Sequence, residues 1–118
     1  MLRCGRFTKL ATLLFKKKFH DAIRSGKKTQ TIRLWDECWI KEGREYRVFN
    51  LGVVRVTRID RVRISALTER DAELDGFDSL EDLLDEVRKI YNVKSLGGKR
   101  CYRIRFVFLG DEKKNRSL

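Results

Sequence analysis

The chain has 118 residues, of which 42% are hydrophobic and 38% are charged, and it carries a formal net charge of +11. This composition predicts one folded domain over residues 1–118 instead of a disordered chain. No apolar run approaches the roughly 20 residues that a membrane-spanning helix requires, which argues against a membrane protein.

The charge is unevenly distributed along the chain. Residues 1–36 contain ten Lys and Arg residues against two acids, whereas residues 68–90 contain nine acids against three basic residues. A basic part and an acidic part in one small protein favour the binding of a polyanion such as nucleic acid. The alternative interpretation is that the charge serves solubility alone.

The first predicted elements lie in the basic part. The apolar run Leu10–Phe15 predicts a buried strand. Residues 16–25 predict a helix that Gly26 can end in the left-handed conformation. Three lysines in its first turn oppose the helix dipole, which favours a functional reason for them. His20 is the only histidine; with no second histidine or acidic triad nearby, it is expected at the surface or at the rim of a site, without a catalytic role.

The stretch from Lys27 to Trp35 is the candidate floor of a site. It concentrates polar groups that would be costly to bury without partners, and its residues alternate as in a strand. The residues predicted to face the core are Gln30, Ile32 and Leu34. The residues predicted to face a cleft are Thr29, Thr31, Arg33 and Trp35. Lys28 has the parity of the core set, but it lies at the turn, where parity predicts little.

Three further strands are predicted after this stretch. Residues 45–50 follow a turn, and residues 53–66 form a long pattern rich in valine, isoleucine and arginine. The alternation slips between Thr57 and Asp60, which indicates a β-bulge. Residues 101–109 alternate most clearly, with aromatic and apolar side chains on one face and arginines on the other.

Two helices are predicted between the last two strands. Residues 68–75 predict a short helix with a capping box formed by Thr68 and Asp71. A second helix begins with a similar cap formed by Asp78 and Glu81. Its apolar stripe is formed by Leu80, Leu83, Leu84, Val87 and Tyr91.

The order of elements predicts an α+β fold. Short turns between the middle strands imply antiparallel pairing, and a small, mostly antiparallel β-barrel with flanking helices would leave few free edges. The core is expected over about residues 11–109, with residues 110–118 as a frayed tail.

The three cysteines, Cys4, Cys38 and Cys101, are far apart in the sequence. They form no C-x-x-C or Cys/His cluster, so neither a metal site nor a disulfide framework is predicted, and no cofactor is expected. Reduced thiols and the lack of a signal-peptide pattern at the N-terminus predict a cytoplasmic location.

Two segments resemble the ASCH domain of the PUA-like superfamily of small β-barrels. They are FHDAIRSGKKTQTIRLW, followed by LTERDAELDGFDSLEDLL, and a final aromatic strand completes the pattern. The resemblance covers about residues 11–109. The family motif G-x-K-x-x-T-x-R falls on Gly26, Lys28, Thr31 and Arg33.

The resemblance implies RNA binding in a basic cleft beside this motif. We therefore expect the protein to recognise single-stranded RNA or a modified nucleoside, as a monomer. The lysines and Arg33 would neutralise phosphates, while Trp35 or Trp39 would stack on an unpaired base. The candidate binding residues are Lys17, Lys27, Lys28, Thr29, Thr31, Arg33 and Trp35.

One bacterial branch of the family resembles this chain and implies an alternative function, the metal-independent hydrolysis of 4-acetylcytidine. Its lysine, threonine and glutamate correspond to Lys28, Thr31 and Asp75, so this chain has a shorter acid at the third position. In this hypothesis Thr31 is the nucleophile, Lys28 the general base, and Asp75 orients or balances the lysine. RNA cleavage, or protein docking on the acidic helices, are further alternatives.

Overall fold

The computed structural model describes residues 11–91 and 100–110. A 3-10 turn at Lys17–Phe19 leads into helix α1 (His20–Ser25), which is followed by strand β1 (Gln30–Trp35). A hairpin of β2 (Glu45–Val48) and β3 (Gly52–Val62) comes next. A 3-10 turn at Ile64–Ala66, helix α2 (Glu69–Leu74), helix α3 (Leu80–Tyr91) and strand β4 (Arg100–Gly110) complete the order.

The four strands form one antiparallel sheet in the order β1-β4-β3-β2. The α+β class and the antiparallel pairing are therefore confirmed. Within the described residues the sheet is open between its edge strands β1 and β2, so closure into a barrel stays a prediction. The predicted bulge is confirmed by a shift of register between Val56 and Arg58.

Each face of the sheet carries its own apolar cluster. One face is built on alternate residues of β4 and joins them to α1 and the β2–β3 hairpin; its β4 members are Tyr102, Ile104 and Phe106. The other face packs under α2 and α3, and its members are Ile32, Leu34, Leu67, Ala72, Leu83, Val87 and Cys101. Strand alternation thus places Ile32 and Leu34 of β1 in the cluster under α2 and α3. The alternate residues Thr31 and Arg33 lie on the opposite face of the strand.

Several element predictions need correction. The part of the predicted strand that is described, Ala11–Phe15, contains only an isolated bridge between Thr12 and Arg47. The helix predicted from residue 16 starts at His20, because a 3-10 turn precedes it. The strand predicted to end at Ala66 ends at Val62.

The predicted caps had mixed outcomes. Gly26 adopts a φ of 86° and ends α1, as predicted. The cap predicted from Asp78 and Glu81 was wrong: Ser79 Oγ accepts a hydrogen bond from the Asp82 backbone N–H at 3.1 Å. Helix α3 ends at Tyr91, whose side chain is not among those that the structure describes.

His20 is buried, so the prediction of a surface or rim position was wrong. Its side chain is 8% exposed and its Nε2 lies 3.4 Å from the Phe15 carbonyl oxygen. His20 and Ile23 are the buried residues of α1.

Helix α2 is fastened to the sheet through Asp71, which is 4% exposed. Its Oδ2 accepts from the Thr68 backbone N–H at 2.9 Å and completes the predicted capping box. Its Oδ1 accepts from Gln30 Nε2 on β1 at 3.1 Å and from Arg103 Nη1 on β4 at 3.2 Å. One carboxylate therefore caps a helix and joins it to two strands.

We predict that Asp71→Ala lowers the free energy of unfolding at pH 7 by about 2–4 kcal/mol, measured by urea denaturation. The variant loses a helix cap and the buried carboxylate that accepts hydrogen bonds from Gln30 and Arg103. Glu73→Ala is the matched control on the same helix: its side chain is 68% exposed, and its removal should change stability by less than about 0.5 kcal/mol.

The difference in the free energy of unfolding between the unchanged protein and Asp71→Ala should be smaller at acidic pH. Burial alone would raise the pKa of Asp71, but hydrogen bonds from Thr68 and Gln30 outweigh it, and the pKa lies below its ordinary 3.8. The stabilisation is thus present above pH 3.8 and lost as the pH falls through the lowered pKa. A difference below about 1 kcal/mol at pH 7 would contradict this account of Asp71.

Candidate functional site

A cavity of about 430 Å³ lies between the segment before α1, strand β1 and helix α3. Its apolar lining consists of Leu14, Phe15, Phe19, Ile32, Trp35, Phe77, Leu83 and Val87. Its polar lining consists of Lys16, Lys28, Thr31, Arg33, Asp75 and Glu86. Such a volume, with apolar walls and a few convergent polar groups, is typical of small-molecule sites.

Backbone contacts explain why Lys28 reaches this cavity. After the left-handed turn at Gly26, the Lys28 backbone N–H donates to the Ala22 carbonyl of α1 at 2.9 Å. The next N–H, that of Thr29, donates to the Leu74 carbonyl of α2 at 2.8 Å. The segment is thus held between two helices before β1 begins, and strand parity does not apply to Lys28.

Lys28 and Asp75 form a buried ion pair in the cavity lining, with both side chains 2% exposed. Lys28 Nζ donates to Asp75 Oδ1 and, at 2.8 Å, to the Asp75 carbonyl oxygen. Among the described residues, no hydrogen-bond donor contacts the buried Asp75 Oδ2. The shorter acid at this position therefore reaches the lysine and keeps one acceptor oxygen for another partner.

Close packing by Gly76 makes this reach possible. The residue has a φ of 89°, and a Cβ built on it would lie 3.2 Å from Lys28 Cβ. Glycine therefore lets the end of α2 approach the lysine stem directly.

Aromatic rings surround the Lys28 ammonium group. The distances from Nζ to the ring centroids are 4.8 Å for Phe19, 5.6 Å for Phe77 and 6.0 Å for Phe15. These rings offer attractive faces to a cation, but they exclude the water that would solvate it.

Burial moves the two titrating groups of the pair in opposite directions. Desolvation lowers the pKa of Lys28 below its ordinary 10.5, aided by the nearby Arg33 and opposed by Asp75. Desolvation also raises the pKa of Asp75 above 3.8, against the attraction of Lys28. Both shifts favour the neutral forms, so an uncharged Lys28 amine is easier to reach here than in water.

Thr31 and Arg33 lie on the cavity side of β1, as predicted. Arg33 Nε donates to Thr31 Oγ1 at 3.1 Å, and another guanidinium nitrogen donates to the Leu14 carbonyl. The guanidinium carbon lies 4.8 Å from the Phe15 ring centroid and 5.8 Å from that of Trp35. The Thr31 hydroxyl oxygen thus accepts a hydrogen bond from a charged donor.

Glu86 on α3 is a cavity residue that the sequence analysis missed. Its carboxylate accepts from Lys18 Nζ at 2.7 Å and from Lys16 Nζ at 3.1 Å. Burial would raise its pKa, but these hydrogen bonds outweigh burial and lower it below 4.5. A signal was present, because Glu86 lies next to Val87 and three residues after Leu83 in the predicted apolar stripe of the helix.

The structure brings together five of the predicted site residues and separates the other three. Lys28, Thr31, Arg33, Trp35 and Asp75 all line the cavity. Lys17 is exposed and does not line it. Lys27 and Thr29 line a different surface hollow, beside Glu69 and Glu73 of α2. The prediction that Thr29 faces the same cleft was wrong, because regular alternation begins only at Gln30.

The cavity is also less basic than expected. Its lining contains three cationic and two carboxylate side chains, a formal charge of +1. Lys28 and Lys16 are both in ion pairs with these carboxylates. Within residues 11–91 and 100–110, no group of three or more His, Cys, Asp or Glu side chains could hold a metal ion. No helix in the same residues has the length and apolar character needed to cross a membrane.

Comparison with known proteins gives the fold. No family model matches the sequence, and no curated protein does. An ASCH domain structure from Lactobacillus crispatus JV V101 superimposes with a TM-score of 0.73 at 17% identity, covering 90% of this chain and 83% of that one. The hypothetical protein PH0355 gives 0.71 at 21% identity, covering 81% and 95%.

Protein EF3133 from Enterococcus faecalis V583 is similar as well, with a TM-score of 0.65 at 16% identity, covering 90% of this chain and 85% of that chain. At sequence identities below 25%, these similarities are evidence about the fold and not about the function. The chain has the fold of an ASCH domain, and the resemblance seen in its motifs is confirmed at the level of fold.

Proposed function

We propose that the protein binds a nucleoside, free or as an unpaired nucleotide of RNA, in the cavity beside β1. The observation that carries the proposal is the convergence of Lys28, Thr31, Arg33 and Asp75 in one otherwise apolar and aromatic cavity. A nucleobase offers flat faces for stacking and polar edges for hydrogen bonds, so it complements both parts of this lining.

Individual contacts can be assigned to this ligand. Phe15 and Trp35 offer ring faces, and the Arg33 guanidinium lies within 6 Å of both rings. Asp75 Oδ2, which is buried and has no donor among the described residues, is suited to accept a hydrogen bond from a base amino group. Exposed Lys17 and Lys27 lie outside the cavity and would contact phosphates if the nucleoside is part of RNA.

The partner is therefore a nucleoside or single-stranded RNA, and we keep the monomeric state and the cytoplasmic location as parts of the proposal. The ASCH fold supports a ligand of this class. A closed barrel is the finer form of the fold that we propose with it.

Calorimetric titration with cytidine, uridine, adenosine, guanosine and 4-acetylcytidine tests the proposal. We predict saturable binding of at least one of them with a stoichiometry of one. Phe15→Leu keeps apolar volume but removes a stacking face, so it should weaken binding by about 5-fold or more, the lower end of base–aromatic stacking energies.

Phe49→Leu is the matched control for this substitution. Phe49 is 66% exposed on the β2–β3 turn and does not line the cavity. We expect its affinity to equal that of the unchanged protein within twofold. Failure of all five nucleosides to bind would overturn the proposal.

A second candidate function is favoured by the state of the buried pair. Hydrolysis of the acetyl amide of 4-acetylcytidine needs a base that can take a proton, and the lowered pKa of Lys28 supplies one. Thr31 and Arg33 line the same cavity and are hydrogen-bonded to each other. This combination fits nucleophilic catalysis without a metal ion.

The chemistry would proceed in two balanced steps. Neutral Lys28 takes the proton of Thr31 Oγ1 while that oxygen attacks the acetyl carbonyl carbon. The protonated lysine then gives its proton to the departing N4 amine of cytidine as the C–N bond breaks, which leaves an acetyl ester on Thr31. Water hydrolyses this ester to acetate and restores the hydroxyl. Arg33 Nε stabilises charge on the threonine oxygen, and Asp75 holds Lys28 in place.

We predict that the protein releases cytidine and acetate from 4-acetylcytidine, as measured by chromatography. The rate should rise with pH through the pKa of Lys28, below 10.5, because only the neutral amine accepts a proton. Lys28→Ala and Thr31→Val should each lower the rate by about 100-fold or more, whereas Thr31→Ser should keep part of it.

Thr29→Val is the matched control, since it removes a hydroxyl two residues away that lies outside the cavity. Its rate should match that of the unchanged protein. Absence of turnover between pH 7 and mildly alkaline pH, together with saturable nucleoside binding, would reject the hydrolase and leave the binding function.

A further inference from the structure

We propose that an aromatic strip beside the cavity, formed by Trp35, Trp39 and the buried Tyr102, binds a second unpaired nucleotide on its exposed ring, Trp39, next to the nucleotide in the cavity. This inference rests on the proposed binding of a nucleoside. It goes further because it makes the ligand a single strand of RNA that extends past the cavity, instead of a free nucleoside.

The rings of the strip form a continuous row. The ring centroid of Trp35 lies 6.1 Å from that of Trp39 and 6.2 Å from that of Tyr102. Trp35 lines the cavity, whereas Trp39 does not and is 50% exposed. A base stacked on Trp39 would therefore be a close neighbour of a base in the cavity.

Trp39 packs against the buried residue Tyr46, and this contact fixes the position of its exposed ring. The ring packs edge-on against Tyr46 with centroids 5.7 Å apart and an interplanar angle of 85°. Tyr46 is 4% exposed, and its hydroxyl accepts a hydrogen bond from the Lys41 backbone N–H at 2.7 Å. A pre-positioned ring loses little conformational freedom when a base stacks on it.

Arginines border the strip. Arg33 on β1 and Arg61 on β3 are both paired with Tyr102 across the sheet, and Arg100 is paired with Trp35. Directly paired residues of antiparallel strands project from the same face, so the three arginines share the face of the strip. Two exposed acids, Asp36 and Glu37, lie in the following connection and offset part of this charge.

This pattern fits a nucleotide better than a protein partner. Alternating aromatic rings and cations serve single-stranded nucleic acid, because rings stack on bases and cations contact the backbone. The strip exposes one large ring, which is little surface compared with the roughly 800 Å² that each side of a stable protein interface buries.

The test compares cytidine with single-stranded hexacytidylate in binding titrations. We expect hexacytidylate to bind more tightly than cytidine. Trp39→Ala should weaken hexacytidylate binding by about 5- to 100-fold and leave cytidine affinity unchanged within twofold. Trp39→Phe should restore most of the loss, since it keeps a stacking face. Phe49→Ala, which removes another exposed aromatic ring, should affect neither ligand.

Arg61→Gln gives an independent variant in case Trp39→Ala is poorly folded. It should weaken hexacytidylate binding alone and reduce the salt dependence of that binding by about one charge. If neither variant changes hexacytidylate affinity while cytidine still binds, the second subsite is disproved and the cavity function stands. If hexacytidylate binding depends on Trp39 but no nucleoside enters the cavity, the strip stands alone and the proposed function fails. If neither ligand binds, the second subsite is disproved, and the titrations with the other four nucleosides decide the cavity function.

Discussion

The docking of helix α2 onto the start of β1 by two buried carboxylates is the constraint on which the site depends. Asp71 and Asp75 are four residues apart and therefore share one face of the helix. The first contacts Gln30 and Arg103, and the second contacts Lys28. Charged groups are stable in such a place only because each has partners. The result is a fixed lysine with little water around it.

The same constraint links structure to chemistry. Aromatic rings and burial make the ammonium form of Lys28 less favourable, while Asp75 makes it more favourable. Burial and pairing with Asp75 thus act on the same proton in opposite directions, and burial is the larger effect. The two proposed functions, nucleoside binding and amide hydrolysis, would therefore use one arrangement of residues, and they differ only in whether Lys28 takes the proton of the Thr31 hydroxyl.

Much of this arrangement could be predicted from the sequence, because local rules govern it. Alternation placed Thr31 and Arg33 on one side of β1, and cap signals placed Asp71 in a capping box. The rest of the site depends on tertiary contacts that produce no periodic pattern in the sequence. Lys28 escapes strand parity because two helices hold its backbone, and Glu86 enters the cavity because Lys16 and Lys18 approach it from a distant segment. Regular alternation also misplaced Thr29, which precedes the strand.

The central claim is that Lys28 is a buried amine with a lowered pKa in a cavity that accepts a nucleoside. The direct measurement is an NMR pH titration of protein with ¹³C-labelled lysine side chains, with the Lys28 signal assigned through Lys28→Arg. The account predicts that this signal titrates below the ordinary 10.5 and that a bound nucleoside shifts it. A Lys28 signal that titrates at or above 10.5 and ignores saturating nucleoside would contradict it.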